Sequence, residues 1–452
     1  MTSPILRFAG AVAGLALAVS LAGCSASDEP SDGTITLRVS IDAGLDEGAT
    51  KAFEARAAQF EEANPDITIE PVEYTWDGTT FAAALAGGTL PDVFTLPFTD
   101  GRGLIANEQI ADISDLVAEL PYAGDFNPNV AVAGQAEDGS QWAVPIAAYG
   151  QGLHYNRALF EQAGLDPDQP PTTWDEVREY AKQIADATGQ AGYAQMTTSN
   201  TGGWILTTLD YALGGRLEEG SGDVASTIDT PEMAEVLEMV HEMRWTDDSM
   251  GANFLYDWGG INQAFASGQI GMYVSGGGNY GNLFTQNQMN PDDYGLAVLP
   301  LADSPDAGVL GGGTLAAVSG KADDAHRAAG VEWIDFYYME KLTDEDAAVA
   351  DAEALAESGA PVGAPQMPIF DQATYEEAQS WVADLVNVPL DQMTGFTDHI
   401  FEQPLIAEPS HSTQEVYALL DPVVQAVLTD QNADIAALLA AAEAEAQQIL
   451  AG

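Results

Sequence analysis

The 452-residue chain carries 70 Asp and Glu against 13 Lys and Arg, a net charge of −57, with 46% hydrophobic residues and one cysteine. So acidic a chain has no basic patch with which to neutralise phosphates, which excludes nucleic-acid binding and a polybasic grip on anionic lipid, and disfavours strongly anionic ligands. The length exceeds what one core usually carries, so two lobes are expected, folded by burial without disulfides.

Taken in chain order, Arg7 and the apolar stretch from Phe8 to Leu21 read as a secretory signal, too short and too rich in small residues to span a membrane comfortably. Leu21-Ala22-Gly23-Cys24 resembles the bacterial lipobox at every position. That resemblance implies a signal peptide over residues 1–23, lipidation of Cys24 and a flexible tether over 24–33, whose Ser, Asp, Glu, Pro and Gly have little to bury. No second long apolar run follows.

Ile35, Leu37, Val39 and Ile41 alternate with polar residues and predict a strand. Phe53, Ala57 and Phe60 recur at helical spacing, and Asn64-Pro65 stops that helix. Ile67, Ile69 and Val72 make a second strand, Phe81 and Leu85 mark a short helix closed by Gly87-Gly88, and Val93, Phe94 and Leu96 make a third strand. This β-α-β-α-β succession predicts parallel strands with ligands bound at their carboxyl ends. Asp42, Trp76-Asp77 and Phe98 to Asp100 are expected in loops on that rim. Farther on, Thr173-Trp174-Asp175-Glu176 has the form of a capping box opening a helix that ends at Gly189. Thr230-Pro231 opens another helix, and Ile270 to Val274 is a strand running into Gly276-Gly277-Gly278. The last helix starts near Asp434 and puts Ile435, Leu438, Leu439, Ala442, Ala446 and Ile449 on one face. Gly276, Gly278 and Gly281 satisfy Gly-x-Gly-x-x-Gly, but Asn279-Tyr280 opens no evident helix and no suitable acid lies about 20 residues on, so dinucleotide binding is not expected. The five His residues have no ligand spacing, and neither a metal nor a cofactor is expected.

Six segments in order resemble the family 1 extracellular solute-binding proteins, the maltose-binding-protein-like, carbohydrate-binding branch that serves ABC importers. They are Phe60-Glu61-Glu62-Ala63-Asn64-Pro65-Asp66-Ile67, Ala86-Gly87-Gly88-Thr89-Leu90-Pro91-Asp92-Val93, and Val144-Pro145 followed by Leu153-His154-Tyr155-Asn156-Arg157-Ala158-Leu159-Phe160. Pro171-Thr172-Thr173-Trp174-Asp175-Glu176, Phe265-Ala266-Ser267-Gly268-Gln269-Ile270-Gly271-Met272, and Pro365-Gln366-Met367 with Ile369-Phe370-Asp371 complete the set. The resemblance implies an α/β, two-lobe periplasmic-binding-protein-like fold: open twisted sheets, an interlobe ligand cleft and hinge crossovers. Lobe one would be 33–147 plus 315–345, and lobe two 148–314 plus 346–452. It further implies no catalysis, a monomer, attachment to the membrane through the lipid alone, and delivery of the ligand to an ABC permease.

A sugar offers hydroxyls and apolar ring faces, so its site needs carboxylates, amides and aromatic rings. The ligand-binding candidates are Asp42, Trp76, Asp77, Phe98, Asp100, Tyr149, Trp204, Tyr256, Asp257, Trp258, Asn279, Tyr280 and Asp371. Two of the resemblance's stacking tryptophans are missing: Gly278 and Asp371 stand in their places, which argues against a maltodextrin and leaves Tyr280, Trp258 or Trp204 to compensate. The leading expectation is a receptor for a neutral sugar, oligosaccharide or polyol. A cationic solute, such as a polyamine or an amino sugar, suits acidic groups with aromatic walls. A surface-anchored glycoside hydrolase working with two carboxylates is the remaining alternative.

Overall fold

The computed structural model describes residues 34–45, 47–220 and 224–451. The expected signal, Cys24 and its tether therefore lie outside the described residues. Among the described residues no helix is long and apolar enough to cross a membrane.

The strands are β1 (Ile35–Ile41), β2 (Ile67–Glu73), β3 (Val93–Pro97), β4 (Ala143–Asn156), β5 (Ala191–Tyr193), β6 (Glu218–Glu219), β7 (Ala225–Ser226), β8 (Ile270–Gly276), β9 (Tyr294–Val298), β10 (Val309–Val318) and β11 (Leu405–Ala407). The main sheet runs β2-β1-β3-β10-β4-β8-β5, with β11 on β10 and β9 on β4; β6 and β7 pair separately. As the alternation predicts, β1 is parallel to β2, with Ile35 opposite Ile67, and parallel to β3. β10 then runs antiparallel to both β3 and β4. β4 is the longest strand and belongs to both halves. Its first half pairs with β10, and its second half is flanked by β8 and β9. Two open sheets are thus joined through β4 and β10 into one mixed sheet. A register shift between Thr314 and Leu315 marks the irregularity where the two long strands cross.

Helix Glu47–Ala63 buries Phe53, Ala57 and Phe60, the residues its spacing selects. Phe60 meets Trp333 edge-on at 5.2 Å, and Trp333 stacks on Tyr337 at 4.8 Å, so the return of the chain after β10 closes the first core. In the second half His154 is fully buried. It donates from Nε2 to the Ser275 and Gly276 carbonyls and accepts the Tyr294 hydroxyl at Nδ1, 2.9 Å. Burial lowers its pKa to about 4, so the ring is neutral at ordinary pH and acts as a brace for the end of β8.

Several local expectations need correction. Thr173 does cap helix Trp174–Thr188, but Glu176 reaches back to the amide and hydroxyl of Thr172, not of Thr173. Phe98 to Asp100 is not a loop but the first turn of helix Phe98–Ala106. Asn279-Tyr280 does enter helical structure: Gly277–Asn279 is a 3-10 turn leading into helix Tyr280–Thr285. Helices Glu345–Ser358 and Gln372–Trp381 pack with Glu340–Thr343. Phe370 lies 5.3 Å from Tyr122 and 5.1 Å from Phe126, and Asn127 donates to the Pro368 carbonyl at 2.9 Å. This segment therefore sits on the side of the sheet's first half.

Candidate functional site

The crossing of β4 and β10 brings three side chains together. Tyr149 lies on β4 opposite Gly312 of β10. Its ring covers that glycine so closely that a Cβ there would stand 2.9 Å from the Tyr149 hydroxyl. The same ring borders Gly276 at the end of β8, 3.9 Å from where a Cβ would be. β11 pairs with Gly311 through Ala407, and the next residue is Glu408. The Tyr149 hydroxyl donates to the Glu408 carboxylate across 3.5 Å.

Trp204 completes the group from the first turn of helix Thr201–Leu213. That helix is held against helix Thr413–Thr429 by Gly203, whose missing Cβ would meet the Tyr417 backbone at 2.3 Å. Asp421 pins the junction by accepting from the Asn200 and Gly203 amides at 2.8 and 3.0 Å.

The electrostatics follow from the burial. Burial raises the pKa of Glu408, while hydrogen bonding from Trp204 and Tyr149 favours its charged form and opposes the rise. Burial also raises the pKa of Tyr149, helped by the Glu408 charge. Tyr417 is pushed well above its ordinary value by burial and then by Glu408, Tyr211 and Tyr149. The phenols stay neutral, and the Tyr149 hydroxyl donates to the carboxylate. Tyr149, Trp204 and Glu408 are each only partly buried, so their edges remain open to a solute. Beyond Gly276, the loop at Gly278 borders the exposed Gln366, whose Cγ lies 3.4 Å from the position of a Cβ there. Aromatic faces, a carboxylate and an amide are the groups that sugar hydroxyls and ring faces require.

The other candidates fall elsewhere. Trp76 lies against Phe81 and Phe94 and donates its indole N–H to Asp100 at 3.1 Å. Burial raises the Asp100 pKa, and the bonds from Thr99 and Trp76 oppose that. Two candidates thus satisfy each other. Phe98 is buried, and its ring fills the space above Gly313. Asp42 is exposed at the end of β1, where its charge adds to the burial that raises the pKa of the Tyr337 and Tyr338 hydroxyls. Asp77 presents its carbonyl to the Thr80 and Phe81 amides. Asp257 and Asp371 are N-caps, accepting from Gly260 at 2.7 Å and Thr374 at 2.9 Å. Tyr256 is buried, and its carbonyl takes the Thr197 and Thr198 amides, which fixes the loop ahead of Trp204. Trp258, next in the chain, is 40% exposed. Asn279 is buried in a cluster with Asn262 and Tyr273, and Tyr280 packs on Phe284 and Tyr294. Glu408 and Gln366 were not among the candidates, although Gln366 lies in the Pro365-Gln366-Met367 segment that carries the resemblance. The only local signal for Glu408 was an apolar Leu405-Ile406-Ala407 run ending in an acid.

These features define a two-lobe α/β binding protein. Residues 44–341 match the family model of the bacterial extracellular solute-binding proteins, and the chain belongs to that family. Its members are solute-binding receptors rather than enzymes, which sets the glycoside-hydrolase alternative aside, and the family is extracytoplasmic. The chain is 25% identical over 304 residues to the sn-glycerol-3-phosphate-binding periplasmic protein of Salmonella typhi, covering 63% of this chain and 67% of that one. Its fold is similar to that of the sugar-binding protein MalE of Xanthomonas citri, with a TM-score of 0.69 at 18% identity over 92% of this chain and 97% of the other. It is similar too to the cyclic α-maltosyl-1,6-maltose binding protein of Arthrobacter globiformis, with a TM-score of 0.68 at 23% identity over 92% and 99%. A solute-binding protein of Agrobacterium vitis with bound D-mannitol gives 0.59 at 18% identity over 92% and 98%.

Proposed function

We propose that this chain is a membrane-anchored receptor that captures a neutral sugar, oligosaccharide or polyol between its lobes and delivers it to an ABC import permease. The observation that carries the reading is the cluster of Tyr149, Trp204 and Glu408 beside the crossing strands, with Gln366 across the Gly276–Gly278 loop. Trp258 and Asp42, both exposed, are the further ligand contacts in this reading. The remaining candidates serve the fold, as helix caps and as core packing. In this reading the lobe boundary falls on β4 near Ala147 and on β10 at the register shift before Leu315. Because Phe370 packs on Tyr122 and Phe126, lobe one extends beyond residue 345 to about Trp381, and lobe two takes 148–314 and the chain from there on. Closure by hinge motion about these crossings would bury the ligand.

The sugars named for the Arthrobacter and Agrobacterium proteins support a hydroxyl-rich cargo. The glycerol 3-phosphate named for the Salmonella protein is not carried over, because the three site residues include a carboxylate and no cation. An amino sugar or a polyamine is the second reading, favoured by that same carboxylate. Export as a lipoprotein through Cys24 and a monomeric state belong to the proposal as well.

A thermal-shift panel of sugars, oligosaccharides, polyols, amino sugars and polyamines tests it. Ligand at about 100 times its Kd stabilises by about 2.7 kcal/mol, which for a chain of this size raises Tm by about 3 °C. A selective rise with one hydroxyl-rich class is the expected result. No rise with any sugar or polyol overturns the proposal, and labelling by a radioactive fatty acid that survives Cys24→Ser overturns the anchor.

A further inference from the structure

We propose that Glu408 sets the charge of the cargo: the site accepts neutral and amine-bearing sugars or polyols and rejects their phosphorylated and carboxylated counterparts. The inference rests on the receptor reading above and adds to it a specificity-determining residue and an excluded class of ligand.

The argument begins with what surrounds the carboxylate. Glu408 is held between Tyr149 from β4 and Trp204 from helix Thr201–Leu213, and the charge of Glu408 acts on Tyr417 from the helix behind. Tyr211 also acts on Tyr417. All of these neighbours are neutral, and no cation is among the groups that shift the Glu408 carboxyl. The Arg216 guanidinium lies 5.0 Å over the Tyr211 ring and donates to the carbonyls of Gly215 and Asp306. His411, three residues after Glu408, pairs with Glu218 instead.

A half-buried carboxylate with neutral donors and no counter-ion is a poor neighbour for a second negative charge. Two like charges about 5 Å apart at an effective dielectric of about 20 disfavour association by about three hundredfold, and the surplus of acids elsewhere on the chain adds repulsion of the same sign. A hydroxyl loses nothing there, because Glu408 still has acceptor capacity beyond the bond from Tyr149. An ammonium gains, since the aromatic faces of Tyr149 and Trp204 favour it as well. The burial that raises the Glu408 pKa gives this selection an acid limit: once the carboxyl is protonated, the repulsion at this position is gone.

The test is calorimetric binding to the whole protein with glucose, mannitol and trehalose, their phosphates glucose 6-phosphate, mannitol 1-phosphate and trehalose 6-phosphate, and glucosamine. The expected result is that at least one neutral member binds, that its phosphate binds at least about tenfold more weakly at low salt, and that glucosamine is not disfavoured against glucose. In Glu408→Gln the neutral-to-phosphate ratio should shrink towards one. A phosphate within about threefold of its neutral partner, or a phosphate that binds when its partner does not, overturns the inference and leaves the receptor reading standing. A full ratio retained in a folded Glu408→Gln overturns the role of Glu408. Should that variant not fold, the wild-type ratio measured from neutral to acid pH decides, since a ratio that does not shrink in acid overturns the same role. Silence from all seven solutes overturns the receptor reading, and this inference with it.

Discussion

Asp210→Asn is expected to remove an acid-favoured component of stability. Asp210 sits inside helix Thr201–Leu213 with no solvent exposure, and neither carboxylate oxygen has a hydrogen-bond partner. Burial, aided by the charge of Glu232 and opposed by that of Arg216, raises its pKa to about 7. The unfolded chain binds this proton near the ordinary value of 3.8, so the native state binds it more tightly over the interval between the two. The stabilisation is therefore fully present below about pH 4, falls as the pH climbs, and is gone above about pH 7. A shift of about 3 units corresponds to about 4 kcal/mol across that window, or about 5 °C in Tm for a chain of this length. Asparagine brings its own unpartnered amide, which adds an offset independent of pH, so the slope is the informative quantity. Denaturant unfolding of both proteins at half-unit steps from pH 4 to 8 gives the difference directly. Other carboxylates, Glu408 included, cancel in that difference. A difference that stays flat across the window refutes the reasoning.

Four further expectations concern single features of the fold. Gly203→Ala places a Cβ 2.3–2.7 Å from backbone atoms of Tyr417, which cannot swing away, so it should cost at least the 1–3 kcal/mol typical of about one extra methyl in a packed core. Because Trp204 and Tyr417 both border Glu408, ligand affinity should drop along with Tm, and an unchanged affinity would argue against the site. Trp76→Phe leaves the half-buried Asp100 short of a donor and should cost about 1–2 kcal/mol in chemical denaturation while ligand affinity holds; the reverse pattern would put Trp76 in the cleft. Asp371→Ala removes an N-cap and should cost about 1 kcal/mol, again with affinity unchanged in calorimetry. A net charge of −57 should make Tm rise from low to molar salt, and a flat response would leave the acidity as a matter of solubility alone.

What the sequence discloses about this protein follows the range of the interactions concerned. The alternation from Ile35 to Ile41, the stop at Asn64-Pro65 and the caps at Thr173 and Thr230 are decided within a few residues, and each is found where the pattern places it. Tyr149 follows Pro145 by four residues and Trp204 follows Gly202-Gly203, both signals within a few residues, although Pro145 lies inside β4 and the two glycines inside helix Thr201–Leu213. Trp76 and Asp100 were read separately as rim groups, but the fold bonds them to each other, and that is settled only when β2 and β3 take their places beside β1. Asp257 and Asp371 show that the same residue type serves two purposes: an acid ahead of a helix satisfies orphan amides as readily as it meets a sugar hydroxyl. Among 70 acids, composition cannot pick the one that matters. Glu408 stands out only because β11 adds to Gly311 of β10, which carries a residue 259 positions from Tyr149 to its hydroxyl. A strand of three residues leaves almost no trace in hydropathy, and its register is a tertiary fact. The group that best explains the site therefore had to come from the sheet, while the elements that hold the site in place could be read from the chain.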